Sequence, residues 1–320
     1  MLPKQFGLIF ILSFHTMAFN VTFLGTGAAA PSPERGLSAT LVNHDEILCL
    51  FDCGEGTQMQ MLRYKIKIFR IKHIFVSHLH GDHYFGLVGL LFTYHLHGRK
   101  EAIHIYGPRP LADLLVPQIK ISVPQLSYPI HFHHIEHEGT KMVCEEKKFT
   151  VEAFPLLHRL PTYGFLVREK SFPRRVLRSF ILNEKPHYTD IVRIKAGADY
   201  TTSDGRIFPN SSISEAVTQY SFAYLSDTAY MPAVAPLIRG VSLLYHEATF
   251  MEDLSDMAPQ KGHSTAAQAA HIARLSDAGK LILGHISPRY DNPQAIAAEA
   301  RAIFPDTQVA FDGMKCDLRP

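Results

Sequence analysis

The stretch Ser77-His78-Leu79-His80-Gly81-Asp82-His83 packs four potential metal ligands into the six residues from 78 to 83. His78 and His80 stand two apart in what reads as an extended turn, so both imidazoles project to one side. Gly81 lets the backbone reverse without a side-chain clash. Asp82 and His83 then stand at the mouth of the next helix. An apolar strand leads into this run, and imidazoles and a carboxylate buried there without a metal would be costly unpaired polar groups. A chance surface cluster is the bland alternative. Nitrogen and oxygen donors without thiolate suit zinc in an open, catalytic site rather than a closed structural one. A pair of metals needs further donors from distant sequence. His158, Asp227 and His285 each end an apolar strand (149–157, 222–226 and 281–284). Taken singly each is an ordinary polar residue, but strand ends deliver such residues to one rim of a sheet.

The elements that must position these residues are short. From about residue 19 apolar strands alternate with turns: 19–24 ends in Gly25-Thr26-Gly27, 47–51 ends in Asp52-Cys53-Gly54-Glu55-Gly56, and 73–77 ends in the histidine-rich turn. Helical periodicity marks 57–64, 84–94, 266–275 and 293–303, with strands at 280–283 and 309–311. Strands and helices mixed along the whole length predict a layered α/β fold. One region differs. From Arg168 to about Asn210 the apolar pattern weakens and Arg168, Lys170, Arg174, Arg175, Arg178, Lys185, Arg193 and Lys195 are opposed before Asp199 only by Glu169, Glu184 and Asp190. A charge run is usually a solvated surface loop. This one is long and of one sign in a chain of net charge +2, and we read it as a projecting arm that binds phosphate. Arg174, Arg175, Arg178, Arg193 and Lys195 are the candidate phosphate-binding residues.

The chain has 320 residues, 46% hydrophobic and 19% charged, which suits one large domain or two modest ones. Its charge balance excludes a uniformly basic nucleic-acid binder, so any RNA contact must be local. Cys49, Cys53, Cys144 and Cys316 show no zinc-cage spacing and read as small buried hydrophobes of a reducing compartment. Residues 1–16 carry Lys4 and the apolar run Phe6 to Leu12, which imitates a signal peptide but is too short to span a bilayer. A natural start at Met17 explains the segment more simply. The domain reading is therefore an extension over 1–16 and a catalytic domain over 17–320 with an inserted arm at about 168–210.

His78-x-His80-x-Asp82-His83 resembles the signature of the metallo-β-lactamase superfamily, and the flanking stretches narrow the resemblance. Leu24-Gly25-Thr26-Gly27-Ala28, Phe51-Asp52-Cys53-Gly54-Glu55-Gly56, Leu225-Ser226-Asp227-Thr228, His246-Glu247-Ala248-Thr249, His263-Ser264-Thr265 and His285-Ile286-Ser287 with Arg289-Tyr290 look like ribonuclease Z, in family order from residue 19 to 313. The resemblance implies a four-layer αββα sandwich and a zinc-dependent endoribonuclease that removes the 3′ trailer from precursor tRNA. The products would be a 3′-hydroxyl on the tRNA and a 5′-phosphate on the trailer. It implies His78, His80 and His158 on one zinc, Asp82, His83 and His285 on the second, Asp227 bridging both, and Asp52 behind the ligands, orienting one. Asp82 would take a proton from the attacking water, and His263, oriented by Glu247, would protonate the leaving oxygen. Without the resemblance His263 reads equally as a helix-start residue. A cytoplasmic homodimer without membrane contact is implied as well. The arm departs from the family: its Gly-Pro stretch is missing and Arg174, Arg175 and Arg178 stand there, which predicts a more helical arm. The competing readings are a hydrolase of small phosphodiesters or other esters, a non-catalytic RNA-binding relative, and an exported hydrolase.

Overall fold

The computed structural model describes residues 18–319, so the expectations for residues 1–16 and for a start at Met17 lie outside the described residues. The first sheet holds β1 (Phe19–Gly25), β2 (Ala39–His44), β3 (Ile47–Phe51), β4 (Ile71–Phe75), β5 (Ile103–Gly107) and β6 (Ile130–His134) in that order, with β18 (Lys315–Asp317) beyond β1. The second holds β7 (Lys141–Glu145), β8 (Phe149–Leu156), β9 (Thr162–Glu169), β14 (Ser221–Leu225), β15 (Leu243–Glu247), β16 (Leu281–Gly284) and β17 (Thr307–Val309), again in that order. Each sheet is antiparallel on one side and parallel on the other. β3 to β6 run parallel in the first, and β14 to β17 in the second.

Alternation along the strands builds the layers. Phe51 and Phe75 face the space between the sheets, where they meet Phe165, Phe222, Tyr224 and Tyr245. Their neighbours Leu50 and Ile74 face outward, under α1 (Thr57–Arg63), α3 (Leu87–Leu96) and α4 (Pro110–Ser122). On the second sheet Ala223 and Leu225 face outward under α9 (Ala266–Leu275) and α10 (Pro293–Arg301). Each large apolar side chain so buried contributes about 1.5–3 kcal/mol. The result is the expected αββα order of layers.

Several boundaries differ from the sequence reading. The helix expected over 84–94 is split into α2 (Gly81–Tyr84) and α3, because the Gly86 N–H leaves the helical ladder for the Cys53 carbonyl oxygen at 2.9 Å. This close approach also leaves no room for a Cβ, which would be 2.2 Å from the Gly54 carbonyl oxygen. The strand expected at 309–311 is β17, two residues earlier. Gly81 does not sit in the left-handed region. Its missing Cβ makes room for the Phe85 ring, which a Cβ would approach to 2.4 Å.

The arm leaves β9 and returns at β14. It holds α5 (Arg178–Glu184), α6 (Tyr188–Lys195), α7 (Asn210–Ile213) and two short ribbons, β10 (Arg175–Val176) with β13 (Ser214–Glu215) and β11 (Tyr200–Thr201) with β12 (Ile207–Phe208). It is helical as expected, but it closes at Glu215 rather than near Asn210 because β10 pairs with β13. Val176, Phe180, Ile194 and Ile213 form its own small core. Glu169, which the sequence reading counted among the arm's charges, is buried at the end of β9.

A candidate two-metal centre at the strand ends

Asp52 follows β3, the histidine-rich turn follows β4, Asp227 follows β14, Glu247 ends β15 and His285 follows β16. These are the carboxyl ends of the parallel strands of both sheets, and the layers bring the two rims together. His158, beyond β8, joins them from the antiparallel side. Asp52 and His285 both adopt left-handed backbone (φ 58° and 53°), a strain of about 1–3 kcal/mol each that positions the side chains at the rim.

All seven expected ligands converge. His78, His80, His158 and Asp227 can each offer an atom within 4.8 Å of the others, and so can Asp82, His83 and His285. Asp227 stands between the groups. Its Oδ2 lies 3.5 Å from His78 Nε2 and 3.9 Å from His158 Nε2, and its Oδ1 lies 3.4 Å from His83 Nε2 and 3.3 Å from His285 Nε2. The outer ring nitrogens fix which inner nitrogen is free. His158 Nδ1 faces the Gly262 carbonyl oxygen at 2.7 Å, so it carries the proton and Nε2 is left with its lone pair. His83 Nδ1 donates to Asp52 Oδ2 at 2.8 Å, which turns its Nε2 toward Asp227. His78 Nε2 and His158 Nε2 both point at His80 Nδ1, at 2.9 and 3.3 Å.

This donor set fits a metal. His83 Nε2 and Asp227 Oδ1 are buried and make no hydrogen bond, although buried polar atoms nearly always do. Burial would lower the pKa of His83, but Asp227 and Asp52 outweigh it and hold this imidazole charged. Burial would raise the Asp227 carboxyl, yet His285, His83 and His78 hold it well below the usual range. So many facing carboxylates call for a cation between them, and a metal ion would supply more charge there than one imidazole proton. No cysteine takes part, and all four are free thiols.

The expected acid pair is also in place. His263 Nδ1 lies 3.0 Å from Glu247 Oε1, which also accepts from Ser264 N–H at 2.9 Å. Burial would lower the His263 pKa, but the charge and hydrogen bond of Glu247 outweigh it and raise it to about 9. His263 is not the start of α9, whose cap is Thr265 with Gln268 in a capping box. Asp52 accepts from Ser77 N–H (2.7 Å), Ser77 Oγ (2.8 Å) and Tyr224 OH (2.8 Å). Sequence reasoning gave no role to Ser77, Tyr224 or Thr249. It also gave no role to Arg159, Lys261 or Arg289, the last quoted only within the resemblance; all three line a cleft of about 650 Å³ over the centre.

The arm residues expected to meet phosphate divide. Arg178, Arg193 and Lys195 are exposed. Arg174 is half-buried and holds the arm together through Ser214 Oγ (2.8 Å) and the Ser214 carbonyl oxygen (3.0 Å). Arg175 is paired with Glu215 at 2.5 Å.

The family model described as anti-Pycsar protein Apyc1 matches residues 19–173. The ribonuclease Z of Bacteroides thetaiotaomicron is 39% identical over 92% of this chain and 94% of its own length. The short form of human tRNase Z is 31% identical in its crystal structure, covering 93% of this chain and 99% of that one with a TM-score of 0.70. The metallo-β-lactamase fold protein YhfI from Bacillus subtilis shares the fold at 18% identity, with a TM-score of 0.67 over 94% of this chain and 99% of that one. An identity of this extent, on a metallo-β-lactamase fold whose rim gathers the histidines and aspartates read from the sequence, makes this chain a member of the ribonuclease Z family.

Proposed function

We propose that this chain removes the 3′ trailer from precursor tRNA with two zinc ions held at the strand ends. His78 Nε2, His80 Nδ1, His158 Nε2 and Asp227 Oδ2 would hold one ion, and Asp82, His83 Nε2, His285 Nε2 and Asp227 Oδ1 the second. The placement of the two Asp227 oxygens against separate histidine groups is the observation that carries this reading. Such a pair, when bound, makes water a nucleophile near neutral pH and stabilises charge on the attacking and leaving oxygens.

The chain's own residues supply the rest. Asp82 Oδ2 accepts from the Ala29 N–H at 2.9 Å and lies 3.3 Å from His285 Nε2, which leaves Oδ1 to take the proton of the attacking water. As the new oxygen–phosphorus bond forms, the bond from phosphorus to the ribose 3′ oxygen breaks. His263 gives that oxygen its Nε2 proton and keeps its Nδ1 proton on Glu247. The tRNA leaves with a 3′-hydroxyl and the trailer with a 5′-phosphate. Arg159, Lys261 and Arg289 at the cleft mouth receive phosphates beside the cut, and Arg178, Arg193 and Lys195 on the arm grip the body of the tRNA.

We read residues 17–320 as one catalytic domain carrying the arm. Homodimerisation and a cytoplasmic location belong to the same proposal and rest on family membership alone. Among the described residues no helix is long and apolar enough to cross a membrane. The test is incubation of the purified protein with a 3′-extended tRNA, with and without a chelator. The expected result is mature-length tRNA only when metal is present. Cleavage unaffected by a chelator that strips the metal, or none with metal restored, overturns the proposal.

A further inference from the structure

Two buried hydroxyls occupy equivalent places on the two sheets. Ser77 follows β4, and its Oγ lies 2.8 Å from Asp52 Oδ2 and 3.0 Å from His78 Nδ1. Thr249 follows β15, and its Oγ1 lies 2.8 Å from Glu247 Oε2 and 2.9 Å from His285 Nδ1. A hydroxyl has one proton and two lone pairs, whereas an ionised carboxylate only accepts. At 2.8 Å from a carboxylate oxygen the hydroxyl proton must point to that oxygen, since two facing lone pairs would repel. The imidazole on the other side must then donate its Nδ1 proton to the hydroxyl. His78 Nε2 and His285 Nε2 are thereby left as lone pairs aimed at Asp227, 3.5 and 3.3 Å away.

Each carboxylate thus governs two imidazoles, one directly and one through a hydroxyl. Asp52 takes His83 directly and His78 through Ser77. Glu247 takes His263 directly and His285 through Thr249. Ser226 Oγ lies 3.1 Å from Ser77 Oγ, and with the Ser77 proton on Asp52 that contact leaves Ser226 as the donor. Other approaches to Thr249 are longer: His263 Nδ1 and the His285 carbonyl oxygen are both 3.2 Å away.

We propose that Ser77 and Thr249 are positioning residues, one for each metal ion, that lock His78 and His285 in the ring form able to ligate. This rests on the two-ion reading above. It also ties the second ion's ligand His285 to the same carboxylate that orients the acid His263, so losing the Thr249 hydroxyl acts on metal and proton donor together.

The test measures metal ions per chain after dialysis of the loaded enzyme against chelator of graded strength. Thr249→Val keeps the shape and removes the hydroxyl, and one ion should be lost at about 10–100-fold lower chelator strength. Thr249→Ser restores the hydroxyl and should hold both ions within about threefold of the wild type. Ser77→Ala should release one ion over the same range, with Ser77→Thr as its hydroxyl-retaining control. The double variant Ser77→Ala with Thr249→Val should release both, as independent effects at different ions. Thr249→Val or Ser77→Ala holding both ions as tightly as the wild type overturns the proposal. So does a hydroxyl-retaining control that loses metal as readily as the variant lacking the hydroxyl. A wild-type chain that binds no metal instead sinks the two-ion reading itself.

Discussion

The metal centre and the arm both concentrate charge, and they hold it in opposite ways. At the centre Asp52, Asp227, Glu247, His78, His83 and His285 are buried; Asp52 and Glu247 accept hydrogen bonds from several elements, and Asp227 is ringed by imidazoles. In the arm Arg178, Arg193 and Lys195 stand in solvent over a core of four buried residues. Buried charges are strong and fixed because little water screens them, so the centre is suited to bond breaking and unforgiving of change. Exposed charges are individually weak and screened by salt, so the arm can add affinity for a large polyanion without setting the chemistry.

The sharpest way to break this contrast is His80→Ala. It removes a proposed ligand at a site where a bound metal would supply several kcal/mol, and at 1.36 kcal/mol per tenfold cleavage should fall by about 10³-fold or more. The loss should be equal for a precursor tRNA and a small chromogenic phosphodiester. Loss on the tRNA alone would mean that the centre is not where bonds break. Next comes replacement of Arg178, Arg193 and Lys195 together by Ala. Steady-state kinetics should show a KM for tRNA raised about 10–100-fold with the small diester unaffected. The salt dependence of tRNA binding should become shallower by about one unit of log–log slope for each phosphate the arm no longer holds. If both substrates suffer alike, the arm is structural.

A third test sits at the arm's root. Glu169 accepts from His44 Nε2 (2.7 Å), Tyr220 N–H (2.9 Å) and Arg319 (2.6 Å). Burial would raise its pKa, but the hydrogen bonds from His44 and Tyr220 and the charge of Arg319 lower it overall. A carboxyl depressed by folding stabilises the protein above its unfolded-state pKa and loses that contribution as pH falls through the folded value. The melting temperature should therefore drop as pH falls below about 4.5, the ordinary glutamate value. Glu169→Gln should remove part of that acid dependence and cost about 1–3 kcal/mol at neutral pH. An unchanged acid profile in Glu169→Gln would show that the pair contributes nothing to holding the arm's root.

The smallest effect is expected from another group of histidines. His104 Nδ1 lies 3.0 Å from His133 Nε2, and His104 stacks on His131 with ring centres 5.0 Å apart. The nearby Glu146 is taken by His73 and Lys72. Replacing His104 and His133 together by Gln should leave metal content unchanged and alter unfolding free energy by no more than about 0.5 kcal/mol. Loss of a metal ion in this variant would show that spacing at the histidine-rich turn is not what selects the ligands.

Much of the layering was legible because it is local. Period-2 alternation puts Phe51 and Leu50 on opposite faces whatever the rest of the chain does, and six residues carry four of the proposed ligands. His158, Asp227 and His285 could be read only as strand-end candidates, and Glu247 with His263 only through the family resemblance. The split at Gly86 escaped the reading because its N–H is taken by the Cys53 carbonyl oxygen, more than thirty positions away. The arm's charges were visible, but not that Arg174 faces inward to Ser214.

The sequence by itself determined which groups could carry charge and protons, where strands and helices alternate, and the family. Only the tertiary structure decided which nitrogen of each imidazole is free, because that depends on what faces the other nitrogen. For His78 and His285 the facing group is a hydroxyl whose single proton is claimed by a carboxylate from a neighbouring strand. Hydrogen bonds act over about 3 Å, and only packing brings residues so far apart in the chain to that range.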